Sequence, residues 1–233
     1  MWTPDGWSAP DRKQLLYRKV NCSDVLKDID TPFPALLIDK MNNWRLCVTR
    51  ILRRKTISCS TTRQRELFQG WYRECDIIPH TYDADFAALI EQYNPDLLKH
   101  LLSNETKFRL ITILGRVNDS HEFKFRPLDG GPPSIDLFWM YSSEKESWVG
   151  GTASDGSKFK YTYPRFDETC AADLLGHIFW IPCNPEQTVL MEYGPKWYLD
   201  HPTNQFSWRS SQFNVKPNGK WSKEEMAEVY RVL

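Results

Sequence analysis

No run of this 233-residue sequence approaches the ~20 apolar residues that a membrane-spanning helix requires, and Met1 leads into a polar, proline-punctuated stretch unlike a signal peptide. Either the protein is soluble as it stands or an amino-terminal anchor is missing from this chain. Net charge is lacking as well. The 30 Lys and Arg balance the 30 Asp and Glu, which removes the broad electrostatic basis for binding nucleic acid or an anionic membrane surface. Any anion chemistry has to be local. The six cysteines, at positions 22, 47, 59, 75, 170 and 183, include no Cys-x-x-Cys pair and no dense framework of the small secreted kind, which speaks against zinc ligation. Internal repeats and low-complexity tracts are absent too.

Aromatic residues are plentiful: 10 Trp, 10 Tyr and 12 Phe in a chain that is 41% hydrophobic, enough for a sizeable core in one compact domain with some appended segment. Such flat amphipathic side chains serve cores, interfaces or sugar-stacking surfaces. Glycosylation sequons at Asn21, Asn104 and Asn118 would fit a lumenal chain with glycans on surface loops.

Residues 1–60 read as a lead-in region, with Pro4, Pro10, Pro32 and Pro34 punctuating short segments and a basic run from Arg50 to Lys55 that suits a solvated face. Residues 61–233 read as the main domain. A helix is expected over Arg63 to Gln69, followed by an apolar stretch, Ile77-Ile78-Pro79, that leads into an extended Tyr82 to Phe86. Asn94-Pro95-Asp96 is a helix start, since Asn caps and Pro suits the first helical position, so Pro95 to Leu102 should be helical. Phe108 to Leu114 and the alternating His121 to Arg126 suggest a hairpin around Asn118-Asp119-Ser120. Ser134 to Tyr141 and Lys158 to Tyr163 read as strands joined by a turn-rich segment, Gly150 to Gly156, and His177 to Ile181 reads as another strand. Pro185 to Tyr193 should be a helix terminated by Gly194, and the capping-box pattern Ser222-Lys223-Glu224-Glu225 should open a helix over Lys223 to Val232. The sum is an α/β chain, a mixed sheet with flanking helices.

Asp83 and Asp85 lie two apart, so on an extended segment both carboxylates project from one face and repel each other unless a cation sits between them. Hard oxygen ligands of this kind suit Mg²⁺ or Mn²⁺. Asp136 stands in the apolar run Ser134-Ile135-Asp136-Leu137-Phe138-Trp139, where its charge needs an offsetting partner. That partner is either a metal shared with Asp83 and Asp85 or a nearby basic residue, unless the carboxylate points outward on an edge strand. Arg73, Lys158 and Lys160 are candidate cations for nucleotide phosphates, with Lys158 and Lys160 on one strand face and Phe159 and Tyr161 on the other; solvated strand lysines are the alternative. Gly150-Gly151-Thr152 either brings backbone N–H groups near a phosphate or forms a plain tight turn.

Together with Asp83-Ala84-Asp85, the word Gly70-Trp71-Tyr72-Arg73-Glu74-Cys75-Asp76-Ile77-Ile78-Pro79 resembles the fukutin-like branch of LicD-type phosphotransferases. The likeness continues, in the same order, through Ile135-Asp136-Leu137-Phe138, Gly150-Gly151-Thr152, Lys158 to Pro164, Ile181-Pro182-Cys183, Tyr193 to Trp197 and Asn214 to Trp221. It implies a nucleotidyltransferase-like fold, a Golgi or endoplasmic-reticulum lumen, and transfer of ribitol 5-phosphate from CDP-ribitol to a glycan or glycoprotein acceptor, in a possible complex with related lumenal transferases. By position it makes Asp83, Asp85 and Asp136 the metal-holding and catalytic carboxylates. It also implies that Cys170 and Cys183 are either bonded to each other or buried. One departure stands out: Glu66-Leu67 occupies the place of a small Gly-Ser or Gly-Thr step, where a bulky anion would disfavour a diphosphate. The competing expectation is therefore a catalytically impaired lumenal binding protein of the same fold.

Overall fold

The structure, a computed structural model, describes residues 68–74, 83–102, 107–166, 169–174, 177–199 and 205–233. The lead-in region 1–60, residues 63–67 of the expected first helix, Ile77-Ile78-Pro79 and the sequons at Asn21 and Asn104 lie outside the described residues.

The described chain opens with α1 (Phe68–Glu74), β1 (Asp83–Leu89), a single 3₁₀ turn and α2 (Pro95–Leu102). Asn94 caps α2 as its sequence requires, its Oδ1 accepting from the Asp96 N–H at 2.9 Å. Six strands follow: β2 (Phe108–Arg116), β3 (Asp119–Pro127), β4 (Ser134–Ser142), β5 (Glu146–Thr152), β6 (Ser157–Pro164) and β7 (Thr169–Leu174). The chain then runs through β8 (His177–Pro182), α3 (Pro185–Tyr193), β9 (Val215–Lys220), α4 (Lys223–Val229) and β10 (Tyr230–Val232). The main sheet has the order β10-β2-β3-β4-β5-β6-β9, with β1 added in parallel beside β4, while β7 and β8 form a separate two-stranded ribbon. The α/β class expected from the sequence holds, with an antiparallel emphasis.

The first helix runs on to Glu74 past its expected end at Gln69, β7 is an added strand, and two further segments depart from the expectations. Gly150-Gly151-Thr152 lies inside β5, not in a turn: Gly150 pairs with Lys160 and Gly151 with Phe159 across to β6. Glycine is required at 150 because a Cβ there would lie 2.7 Å from the Ser120 Cα and closer still to the Ser120 side chain. The last helix keeps its capping box, with Ser222 accepting from the Glu225 N–H, but ends at Val229; Tyr230 to Val232 turn extended and pair with Thr112 to Leu114 of β2.

Alternation along the strands sorts the side chains onto two faces of the sheet. One face carries Ala84, Phe86 and Ala88 of β1, Phe123 and Phe125 of β3, and Ile135, Leu137 and Trp139 of β4, closed over by Leu97 and Leu101 of α2, Phe179 and Ile181 of β8 and Val189 of α3. The other carries Ala87, Phe138, Met140, Val149, Phe159, Tyr161 and Tyr163. At roughly 25 cal/mol per Å² of apolar surface removed from water, these clusters are the main force holding the sheet together. On the second face α3 is tied to β6 through a polar contact, Tyr163 Oη donating to Glu192 Oε1 at 2.7 Å, both residues being buried.

Candidate functional site

The second face is apolar only along part of its length. On β1 it reads Asp83, Asp85, Ala87, and on β4 Ser134, Asp136, Phe138, so both strands start polar and turn apolar toward their carboxyl ends. The strands are parallel and in register, with Asp83 beside Ser134 and Asp85 beside Asp136, which places the carboxylates at one end of the same face. Neighbouring strands lie about 4.8 Å apart, so Asp85 and Asp136 are held at close quarters by backbone pairing alone. Asp85 is fully buried, Asp136 nearly so and Asp83 half-buried. Burial of acids at this density costs free energy unless cations or hydrogen bonds compensate.

One such cation comes from β3, which the sequence reading did not single out. Lys124 is the register partner of Asp136, and its Nζ lies 2.5 Å from Asp136 Oδ2 and 2.9 Å from a carboxylate oxygen of the fully buried Glu122. The alternation His121 to Arg126 sets Glu122 and Lys124 on one side of β3; only the β3–β4 pairing reveals that this is the side of Asp85 and Asp136. Of the partners open to Asp136, the structure thus supplies a basic residue.

A divalent metal suits the chemistry of this place, because four carboxylates, Asp83, Asp85, Asp136 and Glu122, stand on one face as hard oxygen donors. Their spacing is looser than a finished cage: among the described residues no three His, Cys, Asp or Glu side chains are gathered as a metal site. Lys124 accounts for part of that, since its ammonium already sits against two of the four.

The remaining sequence candidates fall elsewhere. Lys158 and Lys160 alternate with Phe159 and Tyr161, which pack on the acid-bearing face, so both lysines project from the opposite side of the sheet. There Lys160 Nζ lies 2.7 Å from Glu146 and 5.1 Å from the Trp148 ring, while Lys158 pairs with Asp119 and sits 4.0 Å over the Trp221 ring. That parity sets the two candidate nucleotide cations on the other side of the sheet from the three aspartates. Arg73 lies half-buried at the end of α1, a helix whose Trp71 and Tyr72 pack against the first core. Glu66-Leu67 lies outside the described residues. Cys170 and Cys183 are bonded to each other, and both residues are exposed, so the bonded alternative holds and the buried one does not. Asn118 is exposed in the β2–β3 turn.

Buried titratable groups near the cores are shifted strongly. His121, packed against Tyr93, Phe123 and Trp139, is pushed down to about 4 by burial, and its Nδ1 lies 3.2 Å from the Leu114 carbonyl, which fixes a neutral ring donating from Nδ1. Glu192 is pushed up to about 8 by burial, against the opposing hydrogen bonds of Tyr163 and Tyr193.

The fold and this acid-lined end of the sheet define an α/β domain with a polar site built on a parallel strand pair. Residues 68–184 match the family model described as LicD/FKTN/FKRP, nucleotidyltransferase domain, and the chain belongs to that family. An uncharacterised protein of Caenorhabditis elegans is 48% identical over 169 residues, covering 70% of this chain and 44% of the relative. The mouse ribitol-5-phosphate transferase FKTN is 35% identical over 164 residues, covering 70% of this chain and 34% of that protein, and the human one is 34% identical over the same length. The chain thus spans less than half the length of these relatives.

Proposed function

We propose that this chain carries the catalytic domain of a phosphotransferase that moves ribitol 5-phosphate, or a related phosphoalditol, from a CDP-activated donor to a glycan during protein O-mannosyl glycosylation. The observation that carries the reading is the in-register pair of buried acids, Asp85 and Asp136, inside the segment that matches the LicD-type family. The name of the mouse and human relatives supplies the phosphoalditol. A Golgi or endoplasmic-reticulum lumen fits the exposed Cys170–Cys183 disulfide and the exposed sequon at Asn118. Among the described residues no helix is long and apolar enough to cross a membrane.

In this reading Asp83, Asp85 and Asp136 hold Mg²⁺ or Mn²⁺, and Glu122 with Lys124 orients Asp136 from β3. When bound, such a cation screens the donor's diphosphate and the charge that develops on departing CMP. The protein groups fix the carboxylates on one rigid strand pair, so that an acceptor hydroxyl can approach the phosphorus in line, and in this reading Asp136 takes its proton. A second reading, a binding protein of the same fold without turnover, is favoured by Lys124 standing where a cation between Asp136 and Glu122 would go. Calorimetric titration with CDP-ribitol, CDP-glycerol and CDP-choline, with and without Mn²⁺, separates the two. Metal-dependent binding and turnover of one donor, lost in Asp85→Asn and Asp136→Asn, is the expected result; metal-independent glycan binding without donor binding would establish the second reading.

A further inference from the structure

The acid-bearing face continues beyond β4 onto β3 and β2, and its charge reverses there. Leu110 and Phe108 of β2 and Phe123 and Phe125 of β3 point into the first core, so the residues that alternate with them, Arg109, Lys124 and Arg126, project from the same side as Asp85 and Asp136. Arg109 and Arg126 are direct register partners across β2 and β3. Both are exposed, and neither side chain makes an ion pair or hydrogen bond with another described residue. Cross-strand partners of like charge repel, so the pair carries a cost that a bound anion would remove. The planar guanidinium fork matches phosphate oxygens two at a time, which a lysine cannot do.

From β2 to β1, over about 14 Å at the usual strand spacing, this end of the face therefore runs from two arginines, through Lys124, to the carboxylates of Asp136, Asp85 and Asp83. A surface that presents cations at one side and acids at the other complements a ligand that is itself an anion with a bound cation. We infer that Arg109 and Arg126 form the anion-binding half of the site, receiving the diphosphate of a nucleotide donor whose companion metal sits among the acids. The diphosphate and metal assignment rests on the function proposed above; the anion site itself rests on the two arginines. Lys124, already engaged with Asp136 and Glu122, forms the seam between the halves.

The test is titration of the full chain with inorganic pyrophosphate, with and without Mn²⁺, on the native protein, Arg109→Gln/Arg126→Gln, Arg126→Lys, and Lys216→Gln/Lys220→Gln. The last variant removes the same number of charges from the exposed strand β9. The arginine double variant should bind pyrophosphate at least about tenfold more weakly, the charge-keeping Arg126→Lys should fall between, and the β9 variant should match the native protein. Without ligand, the arginine double variant should unfold at the same temperature as the native chain or higher, because a like-charge pair has been removed, and this excludes misfolding as the cause of lost binding. Native affinity in the arginine double variant overturns the inference, and so does an equal loss in the β9 variant or a native chain that binds no pyrophosphate. Arginine-dependent pyrophosphate binding without any Mn²⁺ binding would leave this site standing and refute the metal reading of the acids; Mn²⁺ binding with arginine-independent pyrophosphate binding would do the reverse.

Discussion

Replacing Glu192 with Gln should flatten the stability of this protein across neutral pH. Glu192 is fully buried on α3, and burial raises its carboxyl from 4.5 to about 8. A folded-state value above the unfolded one means that the folded chain binds the proton more tightly. Its stabilising contribution is complete below pH 4.5 and is lost as pH rises to about 8. Three and a half pH units at ~1.4 kcal/mol each give about 5 kcal/mol as the full span. His121 works in the opposite sense: lowered from 6.5 to about 4, it adds stability as pH rises from about 4 to 6.5 and nothing further above that. The two slopes oppose each other between 4.5 and 6.5, and from 6.5 to 8 Glu192 acts without its counterweight, for about 2 kcal/mol. Tyr93, Tyr141 and Tyr163 are shifted upward from 10 and act above this window. Gln keeps the shape and an oxygen to accept from Tyr163, yet has no proton to lose. Urea unfolding followed by tryptophan fluorescence at pH 5, 6.5, 8 and 9, on native and Glu192→Gln proteins, reads the difference directly, and groups common to both cancel. The native chain should weaken relative to the variant as pH rises, by about 2 kcal/mol between 6.5 and 8. Parallel curves over that interval would refute the reasoning.

Gly150→Ala should cost about 1–3 kcal/mol, because the new methyl meets the Ser120 side chain and Cα, and Ser120→Gly in the same chain should restore part of it, Ser120 having a positive φ of 56° that glycine adopts freely; chemical denaturation of the native, single-variant and double-variant proteins checks both halves. Replacing both Cys170 and Cys183 with Ser should remove about 3 kcal/mol, the constraint expected of a bond spanning 13 positions, and thermal unfolding with and without reductant should show that only the native protein responds. Ser222→Ala should cost about 1 kcal/mol and speed hydrogen exchange at the Glu225 amide, which loses its cap acceptor.

Where local chemistry decides a structure, the sequence could be read almost to the residue. Asn94 before Pro95, Gly194 after Tyr193 and the Ser222–Glu225 box each satisfy backbone groups within one turn, and the helices start or stop there as expected. Strand β5 was illegible for the opposite reason: Gly150 is glycine because Ser120, thirty positions earlier, packs onto it, and a close approach between distant segments looks like a turn when only neighbours are considered. Tyr230 to Val232 continue a helical pattern but take a place beside β2 that only the folded sheet offers. The same division runs through the site. Asp83, Asp85 and Asp136 could be named from spacing and resemblance, and alternation correctly set Lys158 and Lys160 apart from Phe159 and Tyr161. Alternation does not say which side of one strand matches which side of another, so it could neither send the two lysines to the far face nor bring Glu122, Lys124, Arg109 and Arg126 to the near one.

Because the Asp85–Asp136 separation is set by hydrogen bonding between β1 and β4, the 51 positions from one to the other can change in length without altering it, provided the change falls in a connection. Loops such as Val117-Asn118 or Asp129-Gly130 are places where related genes can drift by insertion or deletion and keep the acids aligned. Inside β1 the tolerance vanishes: a single residue inserted between Ala84 and Asp85 would turn Asp83 to the opposite side of the sheet while leaving composition and hydropathy almost unchanged. Reading frames that preserve length within β1 and β4, and vary it freely between them, are the pattern this geometry would leave in the genes of the family.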